Sequence, residues 1–375
     1  MTTVGKISFS LVAGLVLGLG ASRAARAAED PNTEETAVSA AGPTRIRPVH
    51  FGLVPFGGEG EIDVHGFSSS LIADRVGRFS GVQLAPGISQ SLHSSRGVQL
   101  SAVANVVEGD LQGVQVTGAV NLSDGNVRGA QLAGGINVAG RAVGLQLAPV
   151  NLAGTTKGVQ LGLVNVAWRR ASGLQLGAVN VAPRSRGFSF GLVNVAREHD
   201  GEALGLLNFI GNGIHDVAVY ATDTMLTNAS VKLGSRHLFT SFSIGYTPGA
   251  KLAAAPGPAI LTSDSRRLGL GLGVGYRFEL DFGWLQFMEI EATGMAVQSE
   301  LDFSQGDVPL LTAARVIVGV DLTRQLTLIG GVTENVSIAV NGRDLDLQRG
   351  GPEKVFRSGN TTVRMYPGLL LGLQL

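Results

Sequence analysis

Between residues 81 and 204 a short phrase of alternating apolar and polar positions returns eight times. It reads GVQLAPGIS from Gly81, GVQLSAVANV from Gly97, GVQVTGAVNL from Gly113 and GAQLAGGINV from Gly129. It continues as GLQLAPVNLA from Gly144, GVQLGLVNVA from Gly158, GLQLGAVNVA from Gly173 and a worn copy, GFSFGLVNVA, from Gly187. The starts are 16, 16, 16, 15, 14, 15 and 14 residues apart. Gln and Asn are six apart in early copies (Gln99 and Asn105, Gln115 and Asn121, Gln131 and Asn137) and five apart in later ones (Gln146 and Asn151, Gln160 and Asn165, Gln175 and Asn180). One extra residue inside a continuous strand would turn every later side chain to the opposite face. The same apolar phrase survives on both sides, so a corner lies between the GVQL and VNVA halves. Each copy then reads as two very short strands meeting at a Gly or Ala-Pro bend, the logic of a β-solenoid coil.

With Val159, Leu161, Val164 and Val166 turned inward, Gln160 and Asn165 are expected to point outward. In-register stacking puts Gln83, Gln99, Gln115, Gln131, Gln146, Gln160 and Gln175 in one column. Asn105, Asn121, Asn137, Asn151, Asn165, Asn180 and Asn194 form a second, and side-chain amides can hydrogen-bond along each. Eight coils at about 4.8 Å predict a rod about 35–40 Å long. Two rival readings use the same residues. Each copy could be one transmembrane strand, so that a single larger β-barrel includes the repeats, or the copies could form a meander of hairpins.

From Asp216 the period changes to two over longer stretches. Leu268, Leu270, Leu272, Val274, Tyr276, Phe278 and Leu280 share one face, opposite Gly269, Gly271, Gly273, Gly275, Arg277 and Glu279. Apolar outside with small or charged inside is the alternation of an outer-membrane barrel. Strands are predicted at 216–222, 228–235, 237–247, 268–280, 284–299, 310–322, 325–340 and 361–375. They make an antiparallel up-and-down β-barrel of about eight strands. Short and long connections alternate, as periplasmic turns and outer loops do in such barrels. The last strand ends in Leu375 where the common barrel ending is aromatic. A soluble β-sandwich or small barrel is the competing reading, because Glu289 and Glu291 interrupt the apolar rows.

The first 27 residues have the form of a secretory signal. Lys6 precedes an apolar run from Ile7 to Ala21, and Ala25-Arg26-Ala27 offers a cleavage site before Ala28. The run is about 15 residues, short of the roughly 20 that a spanning helix needs. The expected organisation is therefore a signal peptide at 1–27, a flexible acidic tether at 28–46 and an N-terminal β cap at 47–80. The repeat region follows at 81–215, and the barrel-like domain at 216–375. Composition narrows the function classes. Glycine fills 54 of 375 positions, about twice the usual share, yet no G-x-y period runs through the chain. No cysteine occurs, which removes disulfides, thiol nucleophiles and Fe–S clusters. The formal net charge is zero, an argument against a nucleic-acid partner.

Candidate chemistry is sparse. In GEGEIDVHG, residues 58–66, the side chains Glu59, Glu61, Asp63 and His65 alternate, so a strand would present them on one face as possible metal ligands. The plainer reading is a solvated polar face, because metal sites draw ligands from several elements. REHDGE, residues 197–202, reads as a charged loop where the repeat ends. Asp344 and Asp346 lack the full calcium-loop spacing, and GLGLGVG lacks the Lys-Ser/Thr of a phosphate loop. No catalytic motif appears, so neither an enzyme nor a cofactor is expected.

The phrases GLQLGAVNVA and GVQLGLVNVA, with GLLNFIGNGIHDVAVYATD and HLFTSFSIGYTP after them, resemble a family of bacterial surface-repeat envelope proteins of spirochaetes and other Gram-negative bacteria. The resemblance covers about residues 81–247 well and the remainder loosely. It implies an envelope address and a variable repeat number, with no catalytic motif to carry over. The expected protein is a non-enzymatic, exported envelope component, at the outer membrane or cell surface or else in the periplasm. Its partners would be the outer membrane and envelope proteins or surface ligands. A pore and a soluble periplasmic binding protein are the alternatives.

Overall fold

The computed structural model describes residues 45–52, 62–248, 266–299, 308–340 and 352–375, and every element among them is a β-strand. The chain divides into two units, Met1–Leu132 and Ala133–Leu375. The signal segment with Ala25, Ala27 and Ala28, and nearly all of the tether, lie outside the described residues.

The first unit is a stack of parallel coils. Ile62–Ser70, Phe79–Ala85, Ser95–Ser101 and Leu111–Thr117 pair successively, with Gly66 on Gly81, then Gln83 on Gln99 and Gln99 on Gln115. Beside them Ala73–Val76, Ile88–Ser91, Ala104–Val107 and the start of Val120–Ala133 pair in the order Asp74, Ser89, Asn105, Asn121. Arg45–Gly52 lies parallel to Ile62–Ser70. The described strands of the segment expected to be an N-terminal β cap are stacked in parallel on the coils, and the first of them begins at Arg45.

In the second unit the coils continue through Ile136–Leu147, Val150–Leu161, Val164–Leu176, Val179–Val181, Arg184–Ala196 and Glu198–Ile210. One column runs Gln146, Gln160, Gln175, Ser189, Ala203 and the other Asn137, Asn151, Asn165, Asn180, Asn194, Asn208. Bends fall at Pro86-Gly87, Ala148-Pro149, Gly162-Leu163 and Gly177-Ala178, where the changing Gln–Asn spacing required a corner. The extra residue of the copy from Gly158 is absorbed by a register shift between Ala153 and Thr155. Glycine opens each copy for a steric reason. Gly158 has φ +135°, and a Cβ there would meet the Gly144 carbonyl oxygen at 2.1 Å.

One expectation reverses. Gln160 and Asn165 do share a face, but that face is the interior, where both are fully buried. Val159, Leu161, Val164 and Val166 turn outward and are only half-buried. In a register-locked stack each interior position meets a copy of itself. An amide between two copies of itself finds both a donor and an acceptor; Asn105, whose neighbour one coil earlier is Ser89, keeps a buried Oδ1 without a partner among the described residues. The interior is completed by small side chains, among them Ala139, Ala153, Ala167 and Ala171.

The barrel follows directly. Its strands are His215–Thr222, Thr227–Gly234, Leu238–Thr247, Arg267–Phe282, Leu285–Ser299, Leu310–Asp321, Thr327–Val340 and Thr361–Gln374. Each pairs antiparallel with the next, and the first closes on the last from Ala218–Gln374 to Thr222–Leu370. A ninth strand, Lys354–Ser358, forms a hairpin with the last. Closure of these strands on themselves excludes both the larger barrel that included the repeats and a two-sheet sandwich. Glu289 and Glu291 do not break an apolar row, because both point into the barrel and are buried. Inward glycines make room for rings: Phe239 lies opposite Gly275 and Phe287 opposite Gly319. A Cβ on either glycine would meet the facing ring within 2.4 Å.

Candidate functional site

The interior of the coils is a pair of amide ladders. In the first unit Gln99, Gln115 and Gln131 each donate from Nε2 to Oε1 of the Gln one coil earlier, at 2.7–2.9 Å. The second unit repeats this from Gln160 to Gln146 and from Gln175 to Gln160, at 2.8 and 2.9 Å. Asparagines run the other way. Asn105 donates to Asn121 at 2.9 Å, and in the second unit the chain from Asn137 to Asn208 is continuous at 2.8–3.0 Å. Further bonds from Nδ2 reach the backbone, as from Asn165 to the Leu176 carbonyl at 2.8 Å. The two side-chain dipole rows therefore oppose one another.

Each end visible within a unit is closed differently. In the first unit Gln83 Nε2 donates to buried Asp74 Oδ2 at 2.9 Å, and Ser68 Oγ donates to the same oxygen at 2.5 Å. His50 Nδ1 lies 3.2 Å from Asp74 Oδ1. An anion at the positive end of a row of N–H donors is electrostatically favourable, for the reason an acidic side chain suits a helix N-terminus. In the second unit Ser189 takes the Gln place, and His199 Nε2 lies 3.3 Å from its Oγ. His199 is buried, which pushes its imidazole pKa down, and the nearby Glu202 and Asp200 carboxylates and a backbone hydrogen bond at Gly201 oppose that shift.

Glu202, on the last coil, joins the solenoid to the barrel. Its carboxylate accepts from Ser235 Oγ at 2.6 Å and the Leu238 backbone N–H at 3.0 Å, and lies 2.7 Å from His237 Nδ1. Thr240 Oγ1 donates to the Gly205 carbonyl at 2.6 Å, and Asn208 reaches the Leu233 carbonyl at 3.4 Å. The rod thus meets the barrel at the tight 235–237 turn. Turns 283–284 and 322–326 lie at the same end, while the strand ends at Thr247, Ser299 and Val340 lie at the other. REHDGE is accordingly not a loop but the start of a paired strand, Glu198–Ile210. There Glu198 faces Arg184 at 3.2 Å and Asp200 faces Arg186 at 3.7 Å.

The barrel interior is polar and filled. Glu289 takes Lys232 Nζ at 2.5 Å on one oxygen and Arg277 Nε at 2.8 Å on the other. Arg277 also reaches Asp216 at 2.5 Å, and Gln374 donates to that carboxylate at 2.9 Å. One layer further in, Arg315 donates to the Tyr220 hydroxyl at 3.0 Å and lies 3.6 Å from Glu291, which Ser241 caps at 2.5 Å. Phe287, Ile317, Ile329 and Leu370 pack around them. Met225, Met295, Leu311 and Tyr366 form another cluster towards the long-loop end.

The proposed metal face is not assembled among the described residues. Glu59 and Glu61 lie outside them. Asp63 is buried and accepts from the Arg78 backbone N–H at 2.7 Å, while His65 is exposed. No group of three or more His, Asp or Glu placed to hold a metal ion occurs among the described residues. Asp344 and Asp346 also lie outside them, and GLGLGVG sits within the strand Arg267–Phe282. Sequence reasoning missed the coils opening at Gly66 and Gly201, and with them Ser68, Asp74, Glu202 and Asn208. Their glycines keep the 15- and 14-residue spacing, but Ser68 and Ala203 replace the Gln that marks the other copies. Comparison with family models, with curated proteins and with solved structures finds no match to this chain.

Proposed function

We propose that this is a non-enzymatic cell-envelope protein held in an outer membrane by its eight-stranded barrel, with the solenoid as a scaffold for envelope proteins. The observation that carries the reading is the inverted polarity of the barrel. Val219, Leu270, Leu272, Ile290, Val332 and Leu371 stand exposed on its outside, while Lys232, Glu289, Glu291 and Arg315 are buried inside. Water favours the reverse arrangement, and lipid favours this one. Glu334 faces outward. Seven residues along a tilted strand place it about 18 Å from the short-turn end, towards the far edge of an apolar band roughly 25 Å tall.

Short turns face the periplasm in outer-membrane barrels, and the last coil meets the barrel at that end. The rod accordingly belongs in the periplasm rather than on the cell surface. Fractionation with heat-modifiability on a gel tests the anchor: folded barrel in the outer-membrane fraction is expected, and recovery wholly in the soluble periplasm would overturn it. Protease shaving of intact cells tests the side, with a protected solenoid expected. The filled interior argues against a pore, so the reconstituted protein should leave planar bilayers non-conducting.

A further inference from the structure

We propose that the coils of the second unit carry a site for a ligand bearing several phosphate groups, built where Trp168 and Arg169 bulge from the stack against Gly154. The proposal stands apart from the membrane reading of the barrel and gives the solenoid a ligand of its own. It starts from charge. Residues 133–197 hold seven basic side chains and no acidic one. Two of the seven, Arg184 and Arg186, are answered by Glu198 and Asp200 on the next coil. Arg141, Lys157, Arg169 and Arg170 are exposed, and the coils that carry them, from Ile136 to Leu176, offer no Asp or Glu to pair with.

Register brings these four cations together. Arg141, Thr155 and Arg170 occupy one column on successive coils, and Lys157 stands two residues beyond Thr155 on the same face. Strand spacing then sets the Arg141 and Arg170 backbones about 10 Å apart, with Lys157 about 8 Å from each. The ladder slips at this point. Ala153 faces Ala167 and Thr155 faces Arg170, so Trp168 and Arg169 together oppose Gly154 alone. A bulge of two residues against one re-aims its side chains. Here Arg169 Nη2 and Trp168 Nε1 both reach back to Gly154: a Cβ on that glycine would lie 2.7 Å from the first and 3.2 Å from the second. Two N–H donors therefore converge on a position without a side chain, next to the column that holds Arg141 and Arg170.

The donor set selects the ligand. Guanidinium groups match the paired oxygens of phosphate bidentately, while an ammonium and an indole N–H each add a point donor. Four cations without carboxylate partners, gathered within about 10 Å, ask for several negative charges in a small volume. Clustered phosphates supply them. An acidic peptide carries one charge per side chain and spreads them along an extended backbone, so it fits this compact set less well.

Trp168 also provides the readout, because the chain has only one other tryptophan, Trp284. The full chain carrying Trp284→Phe is titrated in a neutral detergent with inositol hexakisphosphate. Trp168 fluorescence should change along a saturable curve, with inorganic phosphate needing at least about tenfold more for the same effect. Arg169→Gln and Arg141→Gln, both at exposed side chains, should each weaken binding about tenfold, the loss of one charge-assisted hydrogen bond. Arg324→Gln removes the same charge from a barrel turn and should alter affinity less than about twofold. Absence of a saturable change both in fluorescence and in the heat of titration overturns the site. Equal weakening by Arg324→Gln also overturns it, because the attraction would then be the diffuse charge of the whole protein. Equal affinity for inorganic phosphate or for an oligoglutamate peptide overturns the assignment of clustered phosphates as the ligand.

Discussion

Solenoid and barrel both turn polar side chains inward and apolar ones outward, but they satisfy the buried polar groups by opposite means. In the coils two neutral amides are repeated, and copies inside each column pair with their own kind above and below. In the barrel unlike, charged groups from different strands are matched once each: Lys232 and Arg277 with Glu289, Arg315 with Glu291. Neutral ladders carry little desolvation cost per group and tolerate addition of another coil. Buried ion pairs are costly to desolvate and become strongly destabilising when one member is removed.

That difference orders the expected damage. Glu289→Ala leaves buried Lys232 without a carboxylate and Arg277 with Asp216 alone, so the barrel should lose about 3–5 kcal/mol. The loss should be read as a lower urea midpoint for losing the heat-modifiable form. Survival of the folded form at the wild-type midpoint would mean that the Lys232 and Arg277 charges are not held as described.

Asn165→Leu breaks one ladder at a single coil. It removes the Asn165 acceptor from Asn151, whose Nδ2 keeps the Leu161 carbonyl, and leaves the Asn180 side-chain oxygen without its Asn165 donor, at about 1–3 kcal/mol for the stranded group. Hydrogen exchange should accelerate in the neighbouring coils and not in the barrel. Val166→Ser, one residue along but outward, should change exchange little, within about 0.5 kcal/mol. If the outward substitution were the more damaging of the two, the amide interior would be the wrong core.

Glycine separates the regions on a smaller scale. Gly158→Ala forces a Cβ against the Gly144 carbonyl at a left-handed φ and should cost about 1–3 kcal/mol. Gly330→Ala, where a Cβ meets nothing within 4 Å, should stay within about 0.5 kcal/mol. Thermal melts followed by circular dichroism compare the two.

Legibility followed the same divide. The corner between Gln160 and Asn165, the two columns and the shared face of those residues were readable because spacing and parity are properties of the chain alone. The sign of that face was not. Parity cannot tell inside from outside, and the usual preference for buried valine pointed the wrong way. In the barrel the Gly/Leu alternation of residues 268–280 predicted strand faces correctly. The partners of Glu289 and Glu291 could not be read, because Lys232 and Arg315 come from other strands and no repeat announces the pairing. Asp74 and Glu202, the residues that close the Gln ladder and join the rod to the barrel, stayed hidden for a related reason. Coils at the ends of a repeat array depart from the repeat because their neighbours differ.

His199 offers the finest test of this boundary, since it sits where the Gln column has given way to Ser189. Burial lowers its folded pKa below the ordinary value of about 6.5, the desolvation outweighing Glu202, Asp200 and the backbone bond at Gly201. The unfolded chain therefore binds the proton more readily than the folded one, and stability rises with pH through that window. The contribution is fully present above about pH 6.5 and is lost as pH falls towards the folded pKa, with a slope of at most about 1.4 kcal/mol per pH unit. Hydrogen exchange in Glu198–Ile210 should accelerate on acidification while the coils around Gln160, which hold no titrating group in their columns, stay protected. His199→Gln should remove the histidine's share of that acid sensitivity and leave stability at pH 8 nearly unchanged. If the variant keeps the full wild-type slope, the acid-labile group at the junction is not His199.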